Sequence, residues 1–122
     1  MARILVLDDV ADSALMIKKI LEKRGHEVQV FCDEDEALRF AAEHAVDLAI
    51  LDMKLRKLDG TEVLAELQKL QPGIAAIMLT GFPTKSGAQQ AIRLGAAAYC
   101  AKPIEKQVLE DTVATILTRP KA

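Results

Sequence analysis

The chain has 122 residues, 51% of them apolar, which suffices for one domain around a single core without disulfides or a structural metal. Its 16 basic and 18 acidic residues leave a formal charge of −2, and no segment concentrates Lys or Arg, which argues against nucleic acid or an anionic membrane as a direct partner. No apolar run approaches the roughly 18 residues of a membrane span and the first residues carry no cleavage motif, so the expected compartment is the cytosol.

Strand and helix patterns alternate from end to end. Ile4 to Leu7 is a short, wholly apolar run, as in a central parallel strand covered on both faces. Asp12 and Ser13 are expected to cap a helix carrying Leu15, Ile17, Ile20 and Leu21, with Gly25 as its stop. Glu27 to Phe31 alternates polar and apolar, the pattern of an edge strand with one wet face. Asp33, with Glu36 three residues on, resembles a capping box opening a helix through Ala37, Leu38, Phe40 and Ala41. The third strand is expected over residues 47–51, and Leu58-Asp59-Gly60 as a turn. The next helix carries Val63, Leu64, Leu67 and Leu70, and Pro72-Gly73 ends it. A fourth strand runs from Ala75 to Leu79 and closes on Thr80. Gly81 to Gly87 is rich in loop formers and is expected to be a mobile loop, followed by a helix around Ala88, Ala91 and Ile92 up to Gly95. The fifth strand is Ala97 to Ala101, and after Lys102-Pro103 a last helix presents Val108, Leu109, Thr112, Val113, Ile116 and Leu117.

Five such units with no spare segment predict one α/β domain over residues 1–122, a doubly wound, flavodoxin-like (βα)5 sheet with helices on both faces. The order 2-1-3-4-5 fits best, because the second strand alternates like an edge whereas the first, third and fourth are wholly apolar. In that order Cys32 and Cys100 lie at opposite edges, roughly 19 Å apart. A disulfide reaches only about 7 Å between Cα atoms, so the two are expected as free thiols.

Ligands of open parallel sheets bind outside the carboxyl ends of the strands, beside the reversal in strand order. Asp8, Asp9, Asp52, Thr80 and Lys102 all fall at such ends. Taken singly, each has an ordinary reading as a cap, a turn former or a strand end. Together they place three mutually repelling carboxylates at one rim, an arrangement that raises a pKa or calls for a cation. Oxygen ligands without His or Cys suit Mg²⁺. A carboxylate, a divalent cation and an ammonium group can accept a phosphoryl group: Asp52 attacks, Lys102 and the metal offset the charge, and the Thr80 hydroxyl bonds a phosphoryl oxygen.

With these pieces the chain resembles a response-regulator receiver domain of two-component signalling over essentially its whole length. The residues that carry the resemblance are Asp8-Asp9, Leu51-Asp52-Met53 with Asp59-Gly60 following, Thr80-Gly81 and Lys102-Pro103. The resemblance implies that Asp52 is the phosphoacceptor. Asp9, Asp52 and the Lys54 backbone carbonyl would bind Mg²⁺, with Asp8 acting through water, and the Gly81 amide would contact phosphate. Lys102 would pair with the phosphoryl group, its bond to Pro103 being cis. Thr80 and Tyr99 would form a switch that reshapes the surface of the fourth helix, fifth strand and fifth helix. The implied partners are a sensor histidine kinase or phosphotransfer protein and a downstream effector or output domain. No enzyme activity beyond the chain's own phosphorylation and dephosphorylation is implied, and a homodimer through the same surface is the pairing to test. The chain departs from the family at Arg56, where Pro is common, and the basic run through Lys54, Arg56 and Lys57 puts the lifetime of the phosphoryl group in question.

Two other classes fit less well. A phosphatase of the haloacid-dehalogenase type needs a second Asp where Val10 stands, and a cap domain for which 122 residues leave no room. A flavin binder needs a phosphate loop where Asp9-Val10-Ala11-Asp12 would repel phosphate.

Overall fold

A computed structural model describes residues 2–55 and 59–118. Arg56, Lys57 and Leu58, on which the departure from the family pattern and the start of the expected turn rest, lie outside the described residues, as does the tail from Arg119. The strands are β1 (Arg3–Leu7), β2 (Glu27–Phe31), β3 (Leu48–Asp52), β4 (Ala75–Thr80) and β5 (Ala98–Ala101). Between and after them come α1 (Ala11–Glu22), α2 (Glu34–Glu43), α3 (Gly60–Leu70), α4 (Lys85–Arg93) and α5 (Lys106–Leu117). All strand pairs are parallel and the order is β2-β1-β3-β4-β5, as the apolar pattern implied.

Alternation along the strands sorts the core into two layers. Leu5, Leu7, Ala49, Leu51, Ala76 and Met78 face one side, against α2 and α3 through Ala37, Ala41, Val63, Leu64 and Leu67. Ile4, Val6, Leu48, Ile50, Ile77 and Leu79 face the other, against Ala14, Ile17 and Leu21 of α1 and Leu109, Val113 and Ile116 of α5. Every residue of β3 is buried, which is why it reads as an unbroken apolar run, whereas β2 buries only Val28 fully. Burying residues on both faces of one strand makes the residue after it an obligatory exit from the core.

The structure corrects several sequence expectations. Asp12 and Ser13 do not cap α1: the helix starts at Ala11 behind Val10, which makes no side-chain cap, and Asp12 lies inside the first turn. The bend before α1 is held instead by the Asp8 carboxylate, which accepts from the Val10 N–H at 2.9 Å. The stretch 81–87 is not all loop, because Lys85, Ser86 and Gly87 already belong to α4, whose N-cap is Thr84. Asp59 is more than a turn former: it and Glu62 make a reciprocal capping box at α3. Of the apolar residues named along the helices, Leu15, Leu70, Ile92 and Val108 are exposed, since each helix buries a narrower stripe than its apolar residues span. Gly25 ends α1 as expected, with φ +87°. Cys32 and Cys100 are free thiols.

Candidate functional site

β1 and β3 are adjacent in register, with Leu7 opposite Leu51, so the residues that follow them emerge side by side at the sheet rim. Asp8 and Asp52 are buried there, and Asp9 is half-exposed. One carboxylate oxygen from each of the three lies within 4.8 Å of the others. Lys102 reaches in from the end of β5, its Nζ 3.0 Å from Asp8 Oδ2 and 3.1 Å from Asp52 Oδ2. The other oxygen of Asp52 accepts from the Lys54 backbone N–H at 3.1 Å.

Burial raises the pKa of Asp52 above the ordinary carboxylate value, and the negative charge of Asp8 adds to the rise. The Lys54 N–H and the Lys102 ammonium pull the other way without cancelling it. For Lys102, burial alone would lower the pKa, but the hydrogen bonds and charges of Asp8 and Asp52 outweigh it and hold the ammonium more firmly protonated than usual. One ammonium is therefore shared by two carboxylates, with Asp9 beside them as a third. The donor set fits a second, hard cation: three clustered carboxylate groups, with no imidazole or thiol in the cluster, match the oxygen preference of Mg²⁺.

Thr80, buried at the end of β4, turns its hydroxyl to accept from the Phe82 N–H at 3.1 Å, which bends the chain away from the sheet. Gly81 is exposed at this bend. The Lys102 N–H bonds the Thr80 carbonyl at 2.7 Å, and the Lys102-Pro103 bond is cis. Tyr99 on β5 is half-buried, and its hydroxyl accepts from the Thr84 N–H at 3.2 Å. Tyr99 and Thr80 line one cavity of about 270 Å³ beside the acidic cluster.

Sequence reasoning missed several contributors. Gly60, expected at a turn and in the Asp59-Gly60 pair that carries the resemblance, has a further role: a Cβ there would overlap the Asp52 carbonyl oxygen, so only glycine lets α3 start against the site. The Met53 carbonyl accepts from the Gly60 N–H at 2.9 Å and fastens the same junction. The Lys54 ammonium sits over the Phe82 ring, 5.2 Å from its centroid, and so links the loops after β3 and β4. Asp59 also accepts a hydrogen bond from the Thr61 hydroxyl. Of these, only the Asp59-x-x-Glu62 spacing carried a recognisable signal.

The sequence model described as "Response regulator receiver domain" matches residues 4–114. The chain belongs to the response-regulator receiver family. This receiver domain is 36% identical over 114 residues to the probable transcriptional regulator ycf27 of Cyanidium caldarium, a match covering 90% of this chain and 45% of the relative. A receiver domain structure from Clostridium thermocellum is 36% identical, with a TM-score of 0.89 and coverage of 98% of this chain and 96% of the other. A response regulator structure from Burkholderia pseudomallei, described as holding a phosphorylated aspartic acid, a calcium ion and citrate, is 32% identical with a TM-score of 0.85. It is matched over 97% of this receiver domain and 68% of its own chain. The chain spans about a quarter to a half of the length of the curated relatives it matches. Among the described residues no helix is long and apolar enough to cross a membrane.

Proposed function

We propose that this receiver domain is a signalling switch phosphorylated on Asp52. The observation that carries the proposal is the rim itself, where a buried carboxylate is gripped by Lys102 and crowded by Asp8 and Asp9. The phosphorylated aspartic acid described for the Burkholderia pseudomallei relative supports the same chemistry here.

In the proposed reaction an Asp52 carboxylate oxygen forms a bond to the phosphorus of a phosphohistidine or an acyl phosphate. The donor's P–N or P–O bond breaks, and its electron pair leaves with the donor. Lys102, already within hydrogen-bond reach of Asp52, offsets the charge gathering on the transferred group. The Thr80 hydroxyl and the Gly81 amide are the donors assigned to the phosphoryl oxygens. Asp9, Asp52 and the Lys54 carbonyl would hold Mg²⁺, with Asp8 in support. When bound, the ion supplies positive charge to the phosphoryl oxygens. Attack of water on the phosphorus returns Asp52 and inorganic phosphate. Lys54, leaning over Phe82 rather than onto Asp52, is the residue placed to influence how readily water arrives.

On this reading the domain catalyses only its own phosphorylation and dephosphorylation. Its donor is a histidine kinase or phosphotransfer protein of the cytoplasm. Its output leaves through the α4, β5 and α5 surface to an effector or an attached output domain. Incubation with acetyl phosphate and Mg²⁺ tests the proposal. The expected result is one hydroxylamine-labile phosphoryl group per chain, absent in Asp52→Asn. No adduct, or one indifferent to that substitution, overturns it.

A further inference from the structure

Thr84, Gly87 and Tyr99 form a closed arrangement that the phosphoryl chemistry does not use. Thr84 is the N-cap of α4, and its Oγ1 accepts from the Gly87 N–H at 2.9 Å, so the first helical turn is fastened by its own cap. The Thr84 backbone N–H is donated outward to the Tyr99 hydroxyl at 3.2 Å. The hydroxyl reaches that point because residue 87 has no side chain. A Cβ at Gly87 would lie 2.6 Å from the Tyr99 hydroxyl oxygen, 3.0 Å from Thr84 Oγ1 and 3.3 Å from Tyr99 Cζ, so the tightest overlap is with the ring's hydroxyl. Glycine inside a helical turn is otherwise unfavourable relative to alanine, so its place here calls for a reason of packing. Tyr99 supplies that reason.

We propose that Gly87 is a positioning residue that seats Tyr99 against the first turn of α4, making the ring and the start of that helix move as one unit. The cavity lined by Thr80, Tyr99 and Gly87 lies on the site's side of this seat, so displacement of the ring reaches α4 through a direct contact. The consequence for signalling rests on the switch reading above, whereas the seat itself is a property of the unphosphorylated protein. The tightest overlap a Cβ would create is with the far end of the tyrosine side chain, which can swing away, and the 3.0 Å approach to Thr84 Oγ1 is relieved by a shift of a few tenths of an ångström, so substitution at residue 87 moves Tyr99 without unfolding the domain.

Tyr99 is the only tyrosine and the chain has no tryptophan, so tyrosine fluorescence reports this one ring. Gly87→Ala should raise the acrylamide quenching constant of that fluorescence above the wild-type value. In thermal melts Gly87→Ala should raise the melting temperature more in the Tyr99→Ala background than in the wild type, because the crowding of Thr84 Oγ1 is common to both backgrounds and only the overlap with the ring is removed. An unchanged quenching constant, or an equal gain in melting temperature in both backgrounds, overturns the proposal. Both readouts are taken without a phosphodonor, so failure of the seat leaves the Asp52 reading standing and failure of Asp52 to accept phosphate leaves the seat standing.

Discussion

Asp52 is poised because it is left under-compensated. Burial and Asp8 push its pKa up, and a single ammonium shared with Asp8 does not restore it. A carboxylate whose folded pKa is raised above its unfolded value binds protons more tightly in the native state. Native stability therefore falls as pH rises through the interval between the two values, and the penalty is complete above the raised value. Asp52→Asn removes that charge, so in metal-free buffer at pH 7 the variant should melt higher than the wild type, with the gain shrinking as pH drops into the carboxylate range. A lower melting temperature for the variant at pH 7 would contradict this account of the site. At this scale the sequence was legible where chemistry is carried by residue type: Asp8, Asp9, Asp52, Thr80 and Lys102 all stand at the rim. It was not legible where a residue acts by lacking atoms, as Gly60 and Gly87 do, because the neighbour that needs the space is distant in the chain.

Among the elements, helix starts were the harder part to read. Asp33 caps α2 by accepting from the Glu36 N–H, as its spacing suggests, but Asp12 does not cap α1. Two acidic residues near one helix start compete for the turn, and the buried Asp8, fixed by the end of β1, takes the Val10 N–H. Thr84 was overlooked inside a run of loop formers because its capping partner is a glycine. The C-terminal end of α3 depends on an equally quiet residue. Gln71 accepts from the Val46 N–H at 2.7 Å and donates to the carbonyls of Ala41 and His44, both at 2.7 Å, tying the junction of α2 and β3 to α3. Gln71→Ala leaves three backbone groups without these partners. The expected loss is about 1–2 kcal/mol in denaturant unfolding with the slope unchanged; a loss within error of zero would show that water replaces the amide.

For the whole molecule, the sheet order was readable because burial on two faces leaves a visible mark. β3 is unbroken and apolar, β2 alternates, and short connections allow few other arrangements. The same burial creates the rim, since chains leaving a doubly covered sheet must turn out at its carboxyl edge, where β1, β3, β4 and β5 deliver Asp8, Asp52, Thr80 and Lys102. What one chain leaves unwritten is the partner. Exposed apolar residues occur on α1 at Met16 and on α4 at Ile92, and neither names what meets it. The central claim concerns a single bond, and borohydride trapping tests it most directly, because it reduces an aspartyl phosphate to homoserine. Peptide mapping after treatment with acetyl phosphate and Mg²⁺ should find homoserine at residue 52, and none when the phosphodonor or the metal is omitted. Homoserine at another position, or an unreduced Asp52 in protein that has gained a phosphoryl group, would contradict the account.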